Sequence, residues 1–214
     1  MKILITGSSG FIGFHLAKLL LENKHKVHGY DSMNNYYDVN LKKSRLDILK
    51  KYNNFSFTKA NLENEINLKK TFNKFKPKVV IHLAAQAGVR YSIDKPRVYL
   101  NSNIIGTFNI IETSHVFNVK HLIMASSSSV YGANQKVPFK EIDKTETQLS
   151  IYAATKKANE SMAHSYSNIW KIPITMLRFF TVYGPWGRPD MALFKFTKGI
   201  LKNKKIDIYN YGKM

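Results

Sequence analysis

The sequence contains no cysteine, which excludes disulfides and thiolate metal sites. It is also poor in acid, with 14 Asp and Glu against 33 Lys and Arg in 214 residues, a formal net charge of +19. Long apolar runs are missing too: the stretch at residues 79–85 falls far short of the ~20 residues that a membrane-spanning helix needs. The first residues lack the basic, apolar and small-residue layout of a secretory signal. A cytoplasmic protein with no membrane partner is therefore expected. Internal repeats, low-complexity tracts and linkers are absent as well. The excess of cations raises nucleic acid as a partner. However, the lysines are spread along helical stretches such as Lys42-Lys43, Lys69-Lys70 and residues 202–205, without interleaved aromatics that could stack bases. Solvated helix faces account for them, so no nucleic-acid partner is expected, although a positive field suits a polyanionic small molecule.

What is present is 44% hydrophobic residues, enough to bury a core. Their spacing alternates between two periods. Residues 2–6, 27–30, 55–60, 79–83, 121–125 and 174–179 read as short apolar strands. Residues 11–22, 41–52, 65–75, 98–117, 150–170 and 193–202 carry apolar positions at helical spacing. Strands that alternate with helices predict an α/β fold, a doubly wound parallel sheet with helices on both faces.

Two constellations carry chemistry. Gly7-Ser8-Ser9-Gly10-Phe11-Ile12-Gly13 joins the first strand to the first helix. Glycines there let the turn close, let the backbone approach a pyrophosphate, and let the helix pack on the sheet, while the helix N-terminus offers amides to phosphate. Asp31 closes the second strand, where a carboxylate accepts hydrogen bonds from both ribose hydroxyls and repels a 2′-phosphate, which favours NAD over NADP. The second constellation is Tyr152-Ala153-Ala154-Thr155-Lys156. The phenol and the ammonium share one helix face, and a cation beside a tyrosine stabilises the phenolate, bringing a group that titrates near ~10 toward the neutral range. The pair follows a fifth strand that runs into Ser126-Ser127-Ser128-Ser129-Val130-Tyr131-Gly132, and the carboxyl ends of parallel strands are where such sheets bind ligands. His82, His121 and His164 fit no metal-ligand spacing, and no metal is expected.

Together with His82-Leu83-Ala84-Ala85, these motifs resemble the extended short-chain dehydrogenase/reductase family of NAD-dependent epimerases and dehydratases. Within it, residues 84–92 and the stretch Arg178-Phe179-Phe180-Thr181-Val182-Tyr183-Gly184-Pro185-Trp186-Gly187-Arg188-Pro189-Asp190-Met191-Ala192 are similar to UDP-glucuronate 4-epimerases, over essentially the whole chain. The resemblance implies an isomerase that oxidises C4 of a UDP-sugar, lets the 4-keto intermediate rotate, and returns the hydride to the other face, converting UDP-glucuronate to UDP-galacturonate for surface polysaccharide. It implies Tyr152 as the base, with Ser127 and Lys156 as catalytic partners. NAD contacts would come from Gly7, Gly10, Phe11, Ile12, Gly13, Asp31, Asn61, Leu62, Leu83, Ala84, Ala85, Asn103, Tyr152 and Lys156. Substrate contacts would come from Gln86, Gly88, Arg90, Ser128, Ser129, Thr181 and Arg188, and a homodimer would form through a four-helix interface.

The serine-rich turn holds no acidic residue, where dehydratases and decarboxylating relatives of the family carry one. A carboxylated sugar would therefore meet neutral hydroxyls there, and epimerisation is favoured over elimination. Asn61 stands where the family places an aspartate for the adenine amino group, and its carbonyl can accept the same hydrogen bond. Relatives continue beyond the point where this sequence stops. Residues 1–180 are thus expected to form the NAD-binding domain with the catalytic Ser/Tyr/Lys, and 181–214 the start of a truncated substrate domain. Two alternatives stay open: a catalytically silent NAD-binding fragment, and an epimerase for a different nucleotide sugar.

Overall fold

The computed structural model describes residues 1–212; Lys213 and Met214, the last of the stretch assigned to the substrate domain, lie outside the described residues. Six strands form one parallel sheet: β1 (Lys2–Thr6), β2 (Lys26–Asp31), β3 (Phe55–Lys59), β4 (Val79–His82), β5 (His121–Ser127) and β6 (Ile174–Phe179), in the order β3-β2-β1-β4-β5-β6. β1 lies between β2 and β4, with Ile3 opposite both Val27 and Val79. Buried on both faces, it can afford no polar face, which is why it reads as a continuous apolar run.

Successive side chains of a strand point to opposite faces, and β1 divides the core accordingly. Ile3 and Ile5 join Phe14, Ala17 and Leu21 of α1 (Phe11–Glu22) and Leu49 of α2 (Val39–Lys50). Leu4 joins Leu68 and Phe72 of α3 (Glu65–Phe75), together with Ile110, Ile111 and Ala163 on the opposite face. The strand order reverses between β1 and β4, the switch point at which open α/β sheets bind ligands. Gly7, Asp31, Leu83 and Ser127 all sit at that carboxyl edge.

The helix predicted at 98–117 is not uniform. After two short turns, α4 (Tyr91–Asp94) and α5 (Pro96–Tyr99), the chain widens into a π-helical turn at Leu100–Ile105 before α6 (Gly106–Val116). Two contacts accompany the widening. Asn103 turns its amide inward to the backbone of Gln86, and Gly106 lies so close to the Leu62 side chain that a Cβ would come within 2.7 Å of it. β5 runs two residues beyond its predicted end, placing Ser126 and Ser127 in the sheet, and is followed by a 3-10 turn at Ser128–Tyr131. Helices α7 (Ile151–Trp170) and α8 (Ala192–Leu201) match their predicted positions within one residue. Among the described residues no helix is long and apolar enough to cross a membrane.

Two buried histidines tie strands together. His28 places its ring nitrogens 2.7 Å from Ser56 Oγ and 2.9 Å from Thr58 Oγ1. His82 lies 2.7 Å from Thr6 Oγ1 and 3.0 Å from Thr107 Oγ1. Burial pushes His28 down to about 4 and His82 down to about 3, with the Lys74 and Lys156 ammonium groups adding to the respective shifts. The unfolded chain takes up protons near pH 6.5 that these native imidazoles refuse, so their contribution to stability is full above that pH and is lost as pH falls toward 4. Urea unfolding at pH 5 should therefore give a stability lower than at pH 7.5 by about 2 kcal/mol per histidine, and His28→Gln should recover one such increment; equal acid sensitivity in the variant would remove His28 from the account.

Candidate active site

The turn after β1 is shaped by contacts that only glycine allows. Gly7 adopts φ +73, and a Cβ there would meet Ala84 N at 2.8 Å. A Cβ on Gly13 would overlap the Gly7 carbonyl, 2.8 Å from its carbon and closer still to its oxygen. The Gly10 amide donates to Gly7 O at 2.9 Å and closes the turn. α1 then begins with Gly10 as N-cap, with no side-chain cap and no acidic residue in its first turn. Its first amides are thus left for an anion.

Asp31 fastens this turn to the end of β2. Its Oδ2 accepts the Ser9 amide at 3.0 Å and its Oδ1 the Met33 amide at 2.8 Å. Burial pushes the carboxyl up, and the two amides, Lys42 and Arg45 pull it down. Lys42 donates to Asn34 O and Oδ1 at 2.7 and 2.6 Å and sits over the Tyr37 ring at 4.4 Å.

A cleft of about 900 Å³ runs from this turn across the sheet edge. It is lined by Gly7, Gly10, Phe11, Ile12, Gly13 and Asp31, then Asn61, Leu62, Leu83, Ala84 and Ala85, then Ser127, Ser128, Ser129, Tyr152 and Lys156, and finally Gln86, Gly88, Arg90, Thr181 and Arg188. Every candidate residue therefore borders one space except Asn103. Asn103 is buried behind the wall: its Oδ1 accepts the Gln86 amide at 2.8 Å, and its Nδ2 donates to Gln86 O at 3.0 Å and to Thr155 Oγ1 at 3.1 Å. Its amide is engaged in this way with the chain after β4 and with α7, and it does not itself line the cleft.

Tyr152 and Lys156 occupy the first turns of α7, which Ser150 caps by accepting the Ala153 amide at 3.1 Å. Lys156 is buried and donates to Ala125 O on β5 at 2.8 Å; burial pushes its ammonium down to about 8. Burial also pushes the Tyr152 phenol up, while a hydrogen bond with the Ser127 side chain and the Arg188 charge act in the opposite direction. The ammonium is thus turned to the strand backbone, and the groups that favour the phenolate are Ser127 and Arg188. Ser127 is itself oriented by accepting the Ser129 amide at 3.2 Å. Beneath it, Ser126 Oγ donates to Glu160 Oε1 at 2.6 Å, and Arg178 on β6 pairs with the same carboxylate at 2.9 and 3.0 Å.

Two residues that shape the site, Tyr36 and Tyr99, lay outside the motifs. Arg188 is paired with Asp190, and Tyr36 Oη donates to Asp190 Oδ2 at 3.2 Å. Tyr36 also abuts Gly88, whose φ of +101 and lack of a Cβ make room for the hydroxyl. Tyr99 Oη donates to Ala87 O at 2.9 Å and its ring meets Tyr152 edge-on at 6.1 Å. The doubled tyrosine at 36–37 was the one available signal, but an irregular loop offers no periodicity to aim it.

The fold recurs in known proteins. Residues 3–214 match the model of the NAD dependent epimerase/dehydratase family. The chain is 60% identical over its full length to Protein CapI of Staphylococcus aureus and 52% identical to a probable UDP-glucuronate 4-epimerase of Rhizobium meliloti (strain 1021). It spans 64% and 63% of those two proteins, under two thirds of their length. Among solved structures it superimposes, with a TM-score of 0.92, on UDP-glucuronic acid 4-epimerase from Bacillus cereus in complex with UDP-glucuronic acid and NAD, at 36% identity, covering 98% of this chain and 66% of that one. On the match of the family model and on this likeness, the chain belongs to the NAD dependent epimerase/dehydratase family.

Proposed function

We propose that this chain binds NAD and carries the catalytic residues of a UDP-sugar 4-epimerase that converts UDP-glucuronate to UDP-galacturonate. The observation that carries the reading is the single cleft that joins the glycine turn and Asp31 to Ser127, Tyr152 and Lys156. The names of the similar proteins point the same way. On this reading residues 1–180 hold the cofactor and the catalytic groups, and the chain from 181 onward begins the sugar-nucleotide side.

The cradle fits a dinucleotide. The Phe11, Ile12 and Gly13 amides take the pyrophosphate, Asp31 the adenosine ribose, Asn61 and Leu62 the adenine, and Lys156 the nicotinamide ribose. NAD, when bound, supplies the acceptor and then the donor of the hydride at sugar C4. The protein handles the proton. Tyr152 Oη takes it from the 4-hydroxyl and returns it after the sugar turns, and Ser127 Oγ steadies that oxygen by hydrogen bonding. Ser128, Ser129 and Thr181 offer hydroxyls to the sugar carboxylate, with no acid in the serine turn to oppose its charge. Arg188 serves the nucleotide end. The exposed apolar side chains Ile105, Phe108 and Val116 of the π-turn and α6, and Ile169 and Trp170 of α7, supply a face for a homodimer with four helices at its centre.

Incubation of the chain with NAD and UDP-glucuronate, followed by NMR, should yield UDP-galacturonate, and Tyr152→Phe should lower kcat by a factor of about 10²–10⁴; an unaffected variant, or NAD binding without turnover, would overturn the enzymatic reading. Gly13→Ala should weaken NAD at least about tenfold in a calorimetric titration, or ~1.4 kcal/mol, since the added methyl displaces the Gly7 carbonyl. Phe108→Glu should shift the sedimentation coefficient from dimer to monomer; a wild-type chain that sediments as a monomer contradicts the interface.

A further inference from the structure

Arg45 lies on α2, outside the motifs that define the cleft, yet it is among the largest fully buried side chains of the protein. A buried cation persists only where most of its donors find acceptors; Nε of Arg45 has no partner among the described residues, and the terminal nitrogens reach the glycine turn, the loop after β2 and residues 186–187. Nη1 donates to Ser9 O at 3.0 Å and to Tyr37 Oη at 2.8 Å. Nη2 donates to Trp186 O at 2.5 Å and to Gly187 O at 3.3 Å. Ser9 sits in the glycine turn and is held from its other side by Asp31. Trp186 and Gly187 immediately precede Arg188. One planar guanidinium therefore bridges the cofactor turn and the segment that faces the substrate, a geometry that suits its rigid fork better than a compact ammonium.

Other contacts dock the same segment on the same surface. The His15 ring nitrogen Nε2 lies 2.8 Å from Pro185 O, the Trp186 ring packs 5.7 Å from Phe14 of α1, and Tyr36 holds Asp190. Trp186 itself adopts φ +60, a conformation costly for a bulky residue, which persists where surrounding contacts over-determine it.

We propose that Arg45 is a positioning residue that makes the glycine turn and residues 184–190 one mechanical unit, so that NAD binding orders the segment and strengthens binding of the uridine diphosphate end of the substrate. The inference rests on the NAD and UDP-sugar reading above. Because binding linkage is reciprocal, UDP must strengthen NAD by the same factor.

The test combines amide hydrogen exchange with titration of UDP in the presence and absence of NAD, on the wild-type chain and on Arg45→Lys. In the wild type, NAD should slow exchange at 184–190 and tighten UDP by a factor of about 5–150. In Arg45→Lys that factor should fall to about 1 and the slowing at 184–190 should vanish, while protected amides in β1 and β4 report an intact sheet. Should the sheet lose protection, Tyr37→Phe strips one acceptor from the guanidinium, leaves its charge in place, and must lower the factor. A variant that keeps the full factor, or a wild type whose NAD-bound form leaves 184–190 unchanged, overturns the proposal. Slowing at 184–190 by NAD without turnover of UDP-glucuronate would sink the epimerase reading and leave the role of Arg45 standing.

Discussion

The approach of α1 to the end of β1 governs everything at the carboxyl edge of the sheet. The helix can start where it does only because Gly13 carries no side chain against the Gly7 carbonyl, and Gly7 none against Ala84. That closeness sets the first amides of α1 above the sheet and brings the Ser9 amide within reach of Asp31. It also presents Ser9 O to Arg45. A methyl group at either glycine would push the turn away from each of these partners together, so the cofactor cradle is determined by backbone geometry before any charged group acts.

The catalytic end is built differently, from buried polar groups that hold one another. Asn103 clamps both backbone groups of Gln86 and reaches Thr155, which lies between Tyr152 and Lys156. Lys156 answers to Ala125 O, and Glu160 gathers Ser126 and Arg178 beneath the serine turn. Groups of this kind are costly when half satisfied and rigid when complete. Tyr152 therefore projects into the cleft from a helix whose buried side is locked to β5, to the π-turn and to the chain after β4.

Much of this was legible in the sequence, for identifiable reasons. β1 and β4 announce themselves because strands covered on both faces run apolar, at residues 3–5 and 79–81. The glycine turn, Asp31 and the Tyr152/Lys156 pair sit at spacings fixed by local geometry, and all of them line one cleft. What stayed hidden depends on partners far along the chain. A lysine one turn from a tyrosine says nothing of Ala125, whose carbonyl takes the ammonium. The π-turn coincides with what Asn103 and Gly106 meet across the interior, at Gln86 and Leu62. Arg45 reads as one more cation in a basic helix until residues 186–187 arrive beside it.

The central claim is that one cleft oxidises and reduces the same carbon, so that the hydrogen leaving C4 never reaches solvent. Supplying UDP-glucuronate deuterated at C4, in ordinary water, tests this most directly, with the product read by NMR and mass spectrometry. The prediction is UDP-galacturonate that keeps its deuterium at C4; product bearing protium there would contradict it.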